Sequence, residues 1–193
     1  MQTLTDEELI QAAQTGHTEG FTLLVRRYEQ RLFRSMTRIS GSPEDAEDIC
    51  QEAFTRAWRA ISKFRGESQF YSWVFRIALN LLRSSKRQLK ASVSLDAVRD
   101  AIGDDLEDQR ADVDPSHSLQ VRDQQRVVQA AMDAMEESFR TVLVLTDLEE
   151  MSYEEIARVV DCPVGTVRSR IHRARQEFRG RMERLLRQEQ RAC

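Results

Sequence analysis

The chain has 193 residues, 40% of them hydrophobic and 32% charged, with a formal net charge of −3. That size allows one medium or two small globular domains, and no apolar run approaches the ~20 residues needed to cross a bilayer. The acidic start, Thr5-Asp6-Glu7-Glu8, lacks the apolar core of a secretory signal, so a cytoplasmic protein without membrane insertion is expected.

Only 7 Gly and 3 Pro stand among abundant Leu, Ala, Arg, Glu and Gln, a mixture that favours helix because straight side chains lose little rotamer freedom there. No alternating β-branched run marks a strand, so the expected fold class is all-α. Cys50, Cys162 and Cys193 lack C-x-x-C spacing, and His17, His117 and His172 have no partners at metal-ligand spacing. Unpaired thiols are therefore expected, with no metal and no cofactor.

Thr5 with Glu8 forms a capping box that opens a short helix ending at Gly16. A second helix from about Glu19 carries Phe21, Leu24, Val25, Tyr28, Leu32, Met36 and Ile39 on one stripe and stops at Gly41. Ser42-Pro43 caps a third, with Ala46, Ile49, Cys50, Ala53, Phe54, Ala57, Trp58 and Ile61 at helical spacing. Arg65-Gly66-Glu67-Ser68 breaks it. A fourth helix from about Gln69 to Arg87 should turn Phe70, Trp73, Val74, Ile77, Ala78 and Leu81 inward. Its other face, with Tyr71, Phe75, Arg76, Asn80, Arg83, Lys86 and Arg87, mixes aromatics with bases in a way that suits stacking on unpaired bases. Core packing of Tyr71 and Phe75 is an equally good reading of the pattern.

Residues 91–114 are acidic, with few large apolar side chains, and read as a flexible linker between two small helical domains, residues 1–90 and 115–193. The second domain opens at Asp114-Pro115. Val127, Val128, Ala131, Met132 and Met135 mark one helix, and Phe139, Val142, Leu143 and Leu148 another. A helix-turn-helix then runs from about Ser152 to Arg179. Ser152 and Glu155 form a capping box, Asp161-Cys162 the turn, and Val164, Val167, Ile171, Ala174 and Phe178 a buried stripe on the second helix. Opposite that stripe stand Thr166, Ser169, His172, Arg173 and Gln176, flanked by Arg168, Arg170 and Arg175, a surface suited to the major groove. An ordinary solvated basic face is the alternative.

Three blocks of the chain resemble extracytoplasmic-function (ECF) sigma factors of the sigma-E type. They are Asp45-Ala-Glu-Asp-Ile-Cys-Gln-Glu-Ala-Phe54, Phe64-Arg-Gly-Glu-Ser68 with Phe70-Tyr-Ser-Trp-Val-Phe-Arg-Ile-Ala-Leu-Asn80, and Ser152-Tyr-Glu-Glu-Ile-Ala157 with Cys162-Pro-Val-Gly-Thr-Val-Arg-Ser-Arg170. The resemblance implies a promoter-recognition subunit of bacterial RNA polymerase. It implies that Asp45, Asp48, Gln51 and Glu52 dock on the β′ coiled coil. It gives Arg56, Phe64, Arg65, Ser68, Gln69, Phe75 and Asn80 to the melted −10 strand, with a flipped base in the 64–69 loop. Arg168, Ser169, His172 and Arg173 would read the −35 duplex beside the β flap. The linker would thread the polymerase channels, and an anti-sigma factor would hold the protein inactive. Two positions depart from the family pattern: His172, where a phenyl ring is usual, and Met135-Glu136, where Leu-Pro is usual.

Two other functions are compatible with parts of this pattern. A free-standing regulator would need a dimer seam to read two half-sites, and no heptad supplies one. A metal-dependent nuclease could use Glu149, Glu150, Glu154 and Glu155, although acids at a helix start already complement the macrodipole.

Overall fold

A computed structural model describes residues 4–93 and 125–192, and every regular element among them is helical. Helix α1 (Asp6–Gln14) opens at Thr5, whose hydroxyl accepts from the Glu8 amide while the Glu8 carboxylate accepts from the Thr5 amide. Those bonds, the backbone one foremost, hold the Glu8 carboxyl below its ordinary value. Helix α2 (Thr18–Ser40) crosses α1 at Gly20, where a Cβ would stand 2.7 Å from the Leu9 carbonyl oxygen. It ends on Gly41, whose φ of 85° is the left-handed conformation that glycine adopts without steric cost. The Ser42 hydroxyl accepts from the Asp45 amide at 3.1 Å to start α3 (Pro43–Ala60). A 3₁₀ turn (Ile61–Lys63) and a loop lead into α4 (Phe70–Val93), which runs past residue 90, the expected end of the first domain.

The N-terminal core has no exposure at Leu24, Leu32, Met36 and Ile39 on α2, at Ala46, Ala53 and Ala57 on α3, or at Phe75, Ala78 and Leu79 on α4. Each large side chain among them contributes about 1.5–3 kcal/mol on burial, and the alanines let helices approach closely. The inward face of α4 is wider than its spacing predicts. Tyr71, Phe75, Leu79 and Leu82 are buried along with Phe70, Val74 and Ala78, whereas Trp73, Ile77 and Leu81 are only half-buried. Phe75, expected beside a melted strand, is enclosed in the core with its ring 5.9 Å from that of Tyr71. The reason is tertiary: α4 is covered by α2 and α3 on one side and by the C-terminal half on another.

The expected linker beyond residue 93 and the Asp114-Pro115 start lie outside the described residues. The C-terminal half opens with α5 (residues 125–133). At the Met135-Glu136 junction the Met135 amide donates to the Met132 carbonyl at 2.9 Å, and Glu136 caps α6 (Glu137–Leu143) without a side-chain hydrogen bond. α6 widens into a π-turn (Val144–Leu148), closed by the Glu149 amide donating to the Val144 carbonyl at 3.0 Å. Glu150 follows with φ of 54°. Then come α7 (Tyr153–Val160), a left-handed turn at Asp161, and α8 (Val164–Ala192).

The two halves touch, with α2 against α6 and the π-turn and α4 against α7. Asp133 of α5 approaches the end of α2 so closely that a Cβ on Gly41 would meet its carboxylate at 2.9 Å, and Arg140 pairs with Asp133 at 3.0 Å. Deeper in the junction, the Arg31 guanidinium donates to the Glu149 carboxylate at 2.6 Å and to the Glu149 carbonyl at 3.1 Å. The Ser35 hydroxyl donates to the same carboxylate. Arg31 also lies over the Tyr71 ring, 4.4 Å from its centroid. Burial, and then the Glu149 carboxylate, push the Tyr71 phenol well above its ordinary value.

Candidate nucleic-acid interface

The helix-turn-helix is built as its sequence predicts. The Ser152 hydroxyl accepts from the Glu155 amide at 3.2 Å, and the Glu155 carboxylate accepts from the Ser152 amide at 2.9 Å. Ile156, Val159 and Val160 of α7 bury against Val167, Ile171 and Ala174 of α8. Asp161, with φ of 58°, turns the chain between the helices. Burial of that apolar stripe leaves Arg168, Ser169, His172 and Arg173 exposed together on the opposite face.

The arginines of α8 are not equivalent. Arg175 is tied to Asp147 at 2.5 Å, and that hydrogen bond raises its pKa. Arg170 is half-buried and points toward the Cys162 sulfur at 3.8 Å. Arg168 and Arg173 have no acidic partner among the described residues, so their five-donor forks are free for a base edge or phosphate. The Ser169 hydroxyl donates back to the Thr166 carbonyl at 3.0 Å and keeps its lone pairs outward. Gly165 is exposed with open space above its Cα, which permits close backbone approach.

A second surface lies on the N-terminal half. Asp45, Asp48 and Gln51 are exposed along α3, and Glu52 is half-buried in an ion pair with Arg56 at 2.6 Å. That pair joins a residue expected to meet polymerase with one expected to meet DNA. The loop after α3 is anchored from behind, because the Gln14 amide donates to the Ile61 and Phe64 carbonyls at 3.1 and 2.8 Å. Phe64 is half-buried, its ring 4.8 Å from that of Trp73 and 6.1 Å from that of Phe70. Gly66 turns the loop with φ of 71°. Arg65 and Gln69 are exposed, Ser68 is half-buried, and Asn80 is exposed about three turns further along α4.

Phe64, Arg65 and Ser68, though not Gln69 or Asn80, face a cavity of about 370 Å³ lined also by Lys63, Glu67, Ser72, Trp73 and Arg76, with Glu155, Arg158 and Val159 of α7 across it. Apolar ring faces, hydroxyls and bases around such a volume suit a planar heteroaromatic ring. Trp73 and Arg76 hold the place by the loop that Phe75, being buried, does not. The sequence marked Arg76 as outward; Trp73 fell on the expected inner stripe, and only its company in the fold moves it to the cavity wall.

Residues 24–92 match the family described as sigma-70 region 2, and residues 125–178 that described as sigma-70, region 4. The chain is 38% identical to the ECF RNA polymerase sigma-E factor of Haemophilus influenzae over 95% of this chain and 98% of the relative. Among solved structures it resembles CnrH in complex with the cytosolic domain of CnrY, at 25% identity and TM-score 0.66, covering 92% of this chain and 97% of that one. It also shares the fold of the sigma factor RpoE, solved with the anti-sigma factor NepR from Bartonella quintana, at 22% identity and TM-score 0.70, covering 84% and 96%. With a capped helix-turn-helix in one half, an acidic face and aromatic loop in the other, and this kinship along nearly its whole length, the chain belongs to the extracytoplasmic-function sigma factors, the subunits that bind core bacterial RNA polymerase and direct promoter-specific initiation.

Proposed function

We propose that the chain reads its promoter at two places while seated on core polymerase. Residues 115–193 read the −35 element as duplex through Arg168, Ser169, His172 and Arg173 and touch the β flap. Residues 1–90 dock on the β′ coiled coil through Asp45, Asp48, Gln51 and Glu52. Arg56, Phe64, Arg65, Ser68, Gln69 and Asn80 hold the melted −10 strand, one of its bases entering the loop cavity. The acidic linker, residues 91–114, runs through polymerase channels shaped for nucleic acid.

The observation that carries this reading is the sorting of charge on α8: Arg168 and Arg173 stand free beside Ser169 and His172, while Arg175 and Arg170 are engaged elsewhere. The protein acts in the cytoplasm, where polymerase works, and no described helix is long and apolar enough to cross a membrane. An anti-sigma factor controls it, a reading supported by its kinship to CnrH, which was solved with the cytosolic domain of CnrY. It carries no catalytic site and takes no cofactor. The nuclease alternative is disfavoured because Glu149 is consumed by Arg31 and Glu155 by its capping box. Purified chain added to core enzyme should yield specific transcripts from a library of genomic fragments. If none forms, the reading fails.

A further inference from the structure

The contact between the two halves has a cost that packing alone does not explain. Glu149 is separated from Arg31 by 118 positions, and its side chain is only 1% exposed. An ionised carboxylate so deeply buried is stable only where donors surround it. Its donors, Arg31 and Ser35, both come from α2, in the other half of the molecule. The π-turn and the left-handed Glu150 behind it aim the side chain across the junction. Lys86 with Glu137 at 2.8 Å adds a second cross-junction pair nearer the surface.

Docking in this way has a consequence for the loop cavity. One wall of that cavity, Glu155, Arg158 and Val159, belongs to the helix-turn-helix, so α7 stands over the mouth of the Phe64–Gln69 loop. A strand reaching the loop has to pass Glu155, Arg158 and Val159 at the cavity's rim. The same arrangement is incompatible with two-point reading. The −35 and −10 positions lie about 25 base pairs apart, on the order of 80 Å of duplex at 3.4 Å per pair, whereas here the two readers are in contact.

We propose that Glu149, clasped by Arg31 and Ser35, is an intramolecular lock: it holds the C-terminal half over the −10 loop in the free chain and must be released when the halves separate on polymerase. The lock makes the unbound protein self-masking, so that exposure of the loop is coupled to engagement of core enzyme. Masking of a strand-binding site rests on the reading of the loop given above; the closed state of the chain does not.

Trp73 lines the cavity, and the chain has only 2 tryptophans. In a Trp58→Phe background of the full chain, acrylamide quenching therefore reports Trp73 alone, with no DNA present. Arg31→Glu should raise that quenching and enlarge the hydrodynamic radius. Glu149→Gln, which keeps the shape and removes the charge, should move both in the same direction by less, guarding against a merely misfolded variant. Binding of a fluorescent single-stranded −10 oligonucleotide should tighten by at least about ten-fold in Arg31→Glu as the closed population is lost. Unchanged quenching and radius in both variants, with native thermal unfolding, would overturn the lock. Opening without any gain in oligonucleotide binding would support the lock and overturn the single-strand reading of the loop.

Discussion

At the level of single residues, exposure separates readers from scaffold. Arg173 is exposed opposite the buried stripe of α8 and has no acidic partner among the described residues. Arg173→Ala should cost roughly 1–3 kcal/mol against the preferred −35 sequence and relax preference at one base pair, measured as holoenzyme binding across a −35 variant library. Uniform weakening over all sequences would instead mark a phosphate contact. Phe75 and Asn80 lie five residues apart on α4 yet belong to opposite classes, one with no exposure and the other open to solvent. Phe75→Ala should cost about 3–5 kcal/mol of folding stability through the cavity it leaves. Asn80→Ala should leave the melting temperature within error while slowing promoter opening, followed by permanganate footprinting of the melted strand. Residue types alone put these two side chains in one set. Aromatics among bases have the same composition whether they stack on DNA or on each other, and only the rings of Tyr71 and Tyr28 packed against Phe70 and Phe75 decide it.

Helices were the most legible elements because their ends carry local chemistry. Thr5 with Glu8, Ser42 with Pro43, and Ser152 with Glu155 cap in space as they do in the sequence. The far end of α8 was less legible. It continues well past Arg179, sustained by Glu177–Arg181 at 2.6 Å and Glu183–Arg187 at 3.2 Å, pairs at a spacing that stabilises a helix with little apolar content. The spacing of α4 shows one buried side, whereas packing against α2, α3 and α7 buries more of it. Gly20 is another feature with no sequence signal beyond its identity. Gly20→Ala gains helix propensity of about 1 kcal/mol at most, but its Cβ would stand 2.7 Å from backbone and force α1 off α2. A net fall in melting temperature is expected, and a rise would show that α1 yields without loss.

For the molecule as a whole, the two units were legible from the acidic stretch between them, and their contact was not. Glu149 sits among acids that read as ordinary helix-start residues, and nothing local announces a partner 118 positions away. Stability against pH is also a property of the whole. Burial pushes the Cys50 thiol up to about 12, and burial with the hydrogen bond to Asp6 pushes the Tyr28 phenol up to about 12. The folded chain therefore keeps protons that the unfolded chain releases from about pH 9 at the thiol and about pH 10 at the phenol. Stability should fall as pH rises above 9, with the raised Tyr71 phenol adding to the fall, seen as a drop in the urea midpoint. Cys50→Ala should make that fall shallower; an unaltered pH profile would show that the thiol titrates normally in the fold.

The π-turn at Val144–Leu148 also changes how this chain must be counted. Closing a turn on the fifth residue rather than the fourth accommodates one extra residue, and each residue in an α-helix advances about 100° around the axis. Everything after the turn is rotated by that step from where an unbroken helix would carry it. Glu149 leaves the molecule's widened turn directly, its amide closing that turn on the Val144 carbonyl. A chain with an α-turn there in place of the π-turn would be one residue shorter and would keep Arg168, Ser169, His172 and Arg173. Its carboxylate would face away from α2, leaving a factor with the same promoter chemistry and no clasp.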